Sequence, residues 1–298
     1  MDIKRYRNVF ENTYFAGDAF PLINLNLGAA GHAGYFKGAR YQFEDTVWFF
    51  PSIENLEQEP QFDSDSFLYK KTVGLAQYLS NESGGDFIVS MPDISGNADA
   101  LAHLRGSENL LVDMLEDPES VKKALENIQA AWFKTIDNVY DITKKSNEGA
   151  SSIGWMISWA PGKHAQLQCD LSVMISPELF DVFILLEFKE QSAFLDYCTY
   201  HLDGIEQKRH MDKILAIPQI GMIQWTCVEG QPSAMDELES LKKIQAAGKA
   251  LLILVKPQEV KPLLQNLSSK GLYLVVLGAA SNEETDDIVK CVQLFTHD

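Results

Sequence analysis

The 298-residue chain is short of cysteine, of basic charge and of long apolar runs. Its four cysteines are Cys169, Cys198, Cys227 and Cys291, and no two are closer than 29 positions. That excludes the CxxC pairs of zinc ribbons and dithiol redox sites. Lysine and arginine number 25 against 42 aspartates and glutamates, a formal charge of −17. Binding to nucleic acid or to anionic lipid needs a basic face, so neither partner is expected. No apolar run approaches the roughly 18 residues of a membrane span. The most apolar stretch, ALLILVKP (250–257), has the length of a strand. Residues 1–15 hold no apolar core of signal-peptide length, so the expected compartment is cytoplasmic, with free thiols. No Pro- or Gly-rich linker interrupts the chain, which reads as one domain, 1–298, with residues 1–20 as an N-terminal extension. The glycine cluster at 27–38, LGAAGHAGYFKG, lacks GxGxxG spacing, and no P-loop occurs.

Against these absences stands 46% apolar residues, enough for a large core and too many for disorder. The second half alternates strands and helices. Strands are expected at 193–202, 221–228, 250–257 and 272–279, and helices at 204–217, 233–248, 260–271 and 281–295. Ser281 caps the last helix and Glu284 completes its capping box. These strands are continuous apolar runs, as parallel strands buried on both faces require. In the first half, 21–28, 87–93 and 151–159 read as strands, 46–51 as a strand or loop, and 64–81, 97–104 and 118–145 as helices. Seven or eight strands without a dinucleotide fingerprint favour an α/β (β/α)8 TIM-like barrel over a doubly wound sheet.

A barrel of this kind carries its chemistry at the C-terminal ends of the strands. The polar and aromatic residues there are Asp93, Trp159, Gln168, Asp170, Tyr200, His201, Asp203, Gln224, Trp225, Glu229 and Lys256. His201 and Asp203 are two apart and face the same side of an extended strand. Together they suit metal ligation or proton transfer; the plainer reading makes Asp203 a helix cap and His201 a hydrogen-bonded residue of the barrel mouth. Asp170 is either a functional carboxylate or a turn residue, and Asp93 reads as a turn. Lys256 either reaches an anionic ligand or stays solvated. Trp155, Trp159 and Trp225 form either an aromatic wall or core. His32, His103 and His164 read as structural or surface.

The segments 87–125 (FIVSMPDISGNADALAHLRGSENLLVDMLEDPESVKKAL), 168–180 (QCDLSVMISPELF), YHLDG (200–204), IPQIGMIQW (217–225) and SNEETDDIVKCV (281–292) are similar, in order and spacing, to the uroporphyrinogen decarboxylase superfamily. That resemblance implies a (β/α)8 barrel, and the superfamily includes cobalamin-dependent methyltransferases that act with corrinoid proteins. The decarboxylases carry an arginine-rich RQAGRY-type segment for a polycarboxylate substrate; here only Arg40-Tyr41 remains of it. The methyltransferase branch holds zinc with His-x-Cys and a later Cys. His201-Leu202-Asp203 matches with Asp in place of Cys, and Gly278-Ala279-Ala280 stands where the last ligand falls.

The resemblance therefore implies a methyltransferase-like enzyme acting with a corrinoid protein or a small methylated substrate. The alternatives are decarboxylation of a tetrapyrrole and a non-catalytic, tetrapyrrole-binding barrel. His201, Asp203 and Asp170 are the expected catalytic residues. Trp159, Gln168, Tyr200, Gln224, Trp225 and Lys256 are the expected substrate-binding residues, and His201, Asp203 and Glu229 the expected zinc ligands. The expected partners are a small-molecule or tetrapyrrole ligand, a corrinoid protein and, for the chain itself, a homodimer.

Overall fold

The computed structural model describes residues 2–28, 31–227 and 230–298. The chain divides into two compact units. A terminal unit combines Met1–Pro21 with Thr199–Asp298, and a central unit runs from Leu22 to Cys198. Helix α1 (Ile3–Glu11) opens the terminal unit, capped by Asp2, whose carboxylate accepts from the amides of Lys4 and Arg5.

In the central unit β1 (Leu22–Ile23) is followed by the antiparallel hairpin β2 (Arg40–Phe43) and β3 (Val47–Phe50). Then come α2 (Phe67–Ser83), β4 (Ile88–Val89), α3 (Asn97–Arg105), α4 (Ser107–Glu116), α5 (Pro118–Thr143), β5 (Ser151–Ile153), β6 (Ser158–Ala160), β7 (His164–Leu167), α6 (Pro177–Phe183) and α7 (Leu185–Phe194). Local chemistry sets these boundaries. Ser66 caps α2, which stops at Gly84 in the left-handed region. Pro118 fits the first turn of α5, where no amide partner is lost.

The strands β1 and β4 are parallel, and Met91 bridges in parallel to Ile153 of β5. Between β4 and β5 the side chain of Asn147 replaces a strand. Its Oδ1 accepts from the amide of Val89 at 3.0 Å and its Nδ2 donates to the same residue's carbonyl at 2.8 Å. The core of this unit includes Ile23, Val89, Leu79, Leu101, Ile128 and Trp132, all nearly inaccessible. A separate cluster of Tyr35, Val47, Leu68 and Tyr69 anchors the hairpin.

The terminal unit resumes along β8 (Tyr197–Asp203) and adds a short helix, α8 (Met211–Leu215). It continues through β9 (Met222–Thr226), α9 (Leu238–Ala246), β10 (Ala250–Val255), α10 (Pro257–Asn266), β11 (Leu272–Val276) and α11 (Asn282–Phe295). The strands β8, β9, β10 and β11 lie side by side in chain order, all parallel. Leu251, Leu252 and Ile253 of β10 are fully buried, which explains why this strand is apolar at every position.

The chain is thus α/β with a parallel sheet. Among the described residues no sheet closes into the expected barrel. One physical reason is ladder length: β1 and β4 are two residues each, cut short where Asn24 and Ser90 bond through their side chains. Several expected boundaries shift. Residues 193–202 are the end of α7 followed by β8, not one strand, and 204–217 is a 3-10 turn (Ile205–His210) followed by α8. The expected strand 151–159 is a hairpin, broken by a 3-10 turn at Gly154–Met156 and by Ile157 in the left-handed region at φ 53°. No helix among the described residues is long and apolar enough to cross a membrane.

Gly96, at the N-terminus of α3, shows how tightly the central unit is packed. A Cβ there would stand 2.1 Å from the carbonyl oxygen of Gln168, a backbone atom that cannot rotate away. Gly96→Ala is therefore expected to cost about 2 kcal/mol or more of stability, read by chemical denaturation. A loss under about 0.5 kcal/mol would show that this contact is not rigid.

Candidate functional site

The alternation of side chains along β8 and β9 sorts polar from apolar. On β8 the residues Tyr200 and Leu202 point to one face, and His201 and Asp203 to the other. The register places His201 opposite Gln224 and Asp203 opposite Thr226. His201, Asp203, Gln224 and Thr226 thus share one face of two adjacent parallel strands. On the opposite face Tyr200, Leu202, Ile223 and Trp225 are all buried, and the Tyr200 hydroxyl donates to Gln207 Oε1 at 2.8 Å.

The polar face is hydrogen-bonded internally. His201 Nδ1 contacts Gln224 Oε1, and Thr226 Oγ1 lies 3.2 Å from the same ring nitrogen and 3.1 Å from the same amide oxygen. His201 is 7% exposed and Gln224 2%, so water competes little for these bonds. Asp203 is partly buried at the end of its strand. Lys256, after β10, is exposed at the N-cap of α10, and its amide is held by Glu259 Oε2 at 2.7 Å. Glu229 lies outside the described residues.

The central unit holds the other expected residues. Gln168 is buried and donates from Nε2 to Asp170 Oδ2 at 3.3 Å. Asp170 is exposed, but its backbone is clamped by a buried neighbour. Both oxygens of Asp99 are used: Oδ2 accepts from the amides of Gly96 and Asp170, at 3.2 and 3.0 Å, and Oδ1 accepts from the amide of Leu171 at 2.8 Å. Trp159 is 48% exposed on the β5–β6 hairpin, opposite Ser152. His164 is a satisfied core imidazole, its Nδ1 against the carbonyl of Tyr197 at 3.1 Å and its Nε2 against Ser158 Oγ at 2.9 Å. Burial pushes it down to about 4, so it stays neutral.

Sequence reasoning passed over Asp99 and Glu187 and read Asp93 only as a turn residue. Asp93 accepts from Gln166 Nε2 at 3.0 Å; burial, then the nearby Asp170, push it up to about 7, against that hydrogen bond. Asp99 rises to about 8, chiefly by burial and then by Asp170, against its three amide donors. Glu187, on α7, rises to about 8, mainly by burial. It accepts from the amide of Asn97 at 3.0 Å and from Gln191 Nε2 at 3.3 Å. Asp99 reaches back to the amide of Gly96 at the N-cap of α3, but a glycine N-cap has no side chain, so the sequence carries no capping-box signal there. Thr226 was available in the sequence, two residues after Gln224 on the same strand face. Glu187 gives no such signal, since nothing local distinguishes an acid in the first turn of a helix that will be buried from one that will be solvated.

No protein-family model and no curated protein sequence matches the chain. Solved structures do. One is a methyltransferase from Methanosarcina mazei, 11% identical, with a TM-score of 0.61 over 92% of this chain and 80% of that chain. At that identity the likeness is one of fold.

Glu187 gives a pH test of its unit. Its acid is held above the pKa it has in an unfolded chain, so folding favours the protonated form. The stabilisation is complete below about 4.5 and is lost as pH rises through about 8. Glu187→Gln keeps the neutral shape and removes the titration. Between pH 5 and 8 the wild type is expected to lose stability relative to this variant, by up to about 1.4 kcal/mol per pH unit, in denaturation series run at each pH. Parallel curves for the two proteins would mean that Glu187 is already ionised in the fold.

Proposed function

We propose that the chain is a methyltransferase-like enzyme of the uroporphyrinogen decarboxylase superfamily, with a (β/α)8-type barrel as its scaffold and His201 and Asp203 as its reactive pair. The observation that carries this reading is the polar face of β8 and β9, where a histidine and a carboxylate two residues apart are backed by Gln224 and Thr226. Three further features support it. Strands β8 to β11 run parallel in chain order, each followed by a helix or turn-helix. The fold is like that of a methyltransferase. The chain also lacks the paired arginines that a polycarboxylate substrate would need.

The donor set defines which metal the pair would suit. One imidazole nitrogen and one carboxylate oxygen are borderline-to-hard ligands, and no thiolate accompanies them at the matching positions, where Asp203 and the string Gly278-Ala279-Ala280 stand. They fit a zinc ion bound by nitrogen and oxygen, not a thiolate-rich centre. His201 and Asp203 would hold it, with Asp170 or Glu229 as further candidates drawn from the sequence. Bound there, zinc supplies Lewis acidity to a substrate thiol or hydroxyl. The residues around it do the rest: Gln224 and Thr226 hold the imidazole, and the polar face, which carries the Asp203 carboxylate, orients a small uncharged or cationic substrate. The methyl group comes from a methylated corrinoid, carried by a partner protein, or from a small methylated donor.

Two measurements test this reading. Elemental analysis and zinc titration are expected to give one zinc per chain, lost in His201→Ala and weakened in Asp203→Asn and Asp170→Asn. With methylcobalamin and a thiol acceptor, the wild type is expected to demethylate the corrin, followed by its absorbance, and His201→Ala to fall at least about 100-fold. Loss of carboxylate from uroporphyrinogen without methyl transfer would overturn the assignment in favour of a decarboxylase. Tight tetrapyrrole binding without turnover of either substrate would mark a binding barrel.

A further inference from the structure

We infer that Asp99 is a positioning residue: one carboxyl group on α3 caps two chain starts at once and so fixes the turn that presents Asp170. The functional half of this inference rests on the reading of Asp170 as a member of the site. The geometry behind it lies wholly within the central unit and is independent of any metal.

The first amides of a helical turn have no carbonyl partner within it. Asp170 opens the 3-10 turn Asp170–Met174, and the preceding residue, Cys169, supplies no side-chain cap. Helix α3 begins after Gly96, which has no side chain to cap with. Asp99 serves both starts. Its Oδ2 accepts from the amides of Gly96, at 3.2 Å, and Asp170, at 3.0 Å, and its Oδ1 accepts from the amide of Leu171 at 2.8 Å. The last two donors stand 71 and 72 residues further along the chain. The cap of one helix is thereby also the cap of a remote turn.

A clamp positions another group only if it is itself held. The start of α3 is anchored on two further helices. The amide of Asn97 donates to Glu187 Oε1 on α7 at 3.0 Å, and Asn97 Nδ2 donates to Gln129 Oε1 on α5 at 2.6 Å. Gly96 lets the remote turn come close, since a Cβ there would stand 2.1 Å from the carbonyl oxygen of Gln168. From that contact the chain runs on to Asp170, whose Oδ2 accepts from Gln168 Nε2 at 3.3 Å. Asp99 sets the backbone of Asp170 and Gln168 holds its side chain, and both of these residues are buried. An exposed carboxylate is in this way aimed by two buried groups. Such preorganisation spares a ligand the entropy of ordering the turn.

Hydrogen–deuterium exchange at single-residue resolution tests the clamp without metal or substrate. In the wild type the amides of Asp170 and Leu171 are expected to exchange at least about 100-fold more slowly than in an unstructured peptide. Asp99→Asn keeps one oxygen and turns an NH2 group toward the remaining amides. It is expected to speed exchange of Asp170 and Leu171 at least about 10-fold and to leave α5 unchanged. Zinc titration then reads the site. The same variant is expected to keep one zinc per chain and to bind it about 10-fold more weakly, with no further loss when added to Asp170→Asn. A role in bulk stability alone would speed exchange in α5 as well and would lower the stoichiometry of zinc, not its affinity. That result overturns the inference, as do wild-type amides that exchange freely or zinc losses that add in the double variant. Should Asp99→Asn fail to fold, the wild-type exchange rates of the two amides decide. If the wild type binds no zinc, or Asp170→Asn binds it as tightly, the place of Asp170 in the zinc reading falls, and the exchange rates uphold or overturn the clamp by themselves.

Discussion

The proposed reactive pair of this protein depends on the two-residue period of β8 and β9. Both strands are embedded in a parallel sheet, and each must bury one face against its helices. Tyr200, Leu202, Ile223 and Trp225 serve that face. The period then delivers His201, Asp203, Gln224 and Thr226 to the other side without further design, and the parallel register sets histidine against glutamine and aspartate against threonine. A shift of one residue in either strand would send that strand's two polar residues into the apolar layer, where burial of unpaired polar groups is prohibitive. Packing of the apolar face and assembly of the polar face are therefore one constraint.

The central unit solves a different problem. Its parallel strands are very short, and side chains stand in for missing backbone partners. Asn147 bridges beside β4, Ser90 and Asn24 tie strand ends together, and Asp99 gathers three amides of two separate segments. Such groups have to be buried to work, and burial raises the carboxyls among them toward the neutral form. The elevated acids of this unit are in this sense a by-product of architecture.

Legibility in the sequence followed the same division. The strands and helices of the second half were readable because long apolar strands alternate with capped amphipathic helices: Ser281 with Glu284 and the ALLILV run of β10 each announce their element. The pairing of His201 with Asp203 was readable from spacing alone. What was not readable depended on partners remote in the chain. Gly154 opens a 3-10 turn where continuous apolar residues suggested a strand, and only glycine fits there because a Cβ would meet Asn24 and Ser90. Tyr200 and Trp225 look like pocket residues from their place at strand ends, yet parity puts them opposite the histidine. The expected strand 193–202 takes in the last two residues of α7, because Phe194 and Leu195 run on into the aromatic β8.

The Asn147 bridge has a consequence for stability. An amide and a carbonyl left bare inside the fold would each cost about 1–3 kcal/mol, and very short strands leave such groups behind. Val89 and Asn147 are both buried, so no water could take the place of these two bonds. Removing the one carboxamide would strand two backbone groups at once.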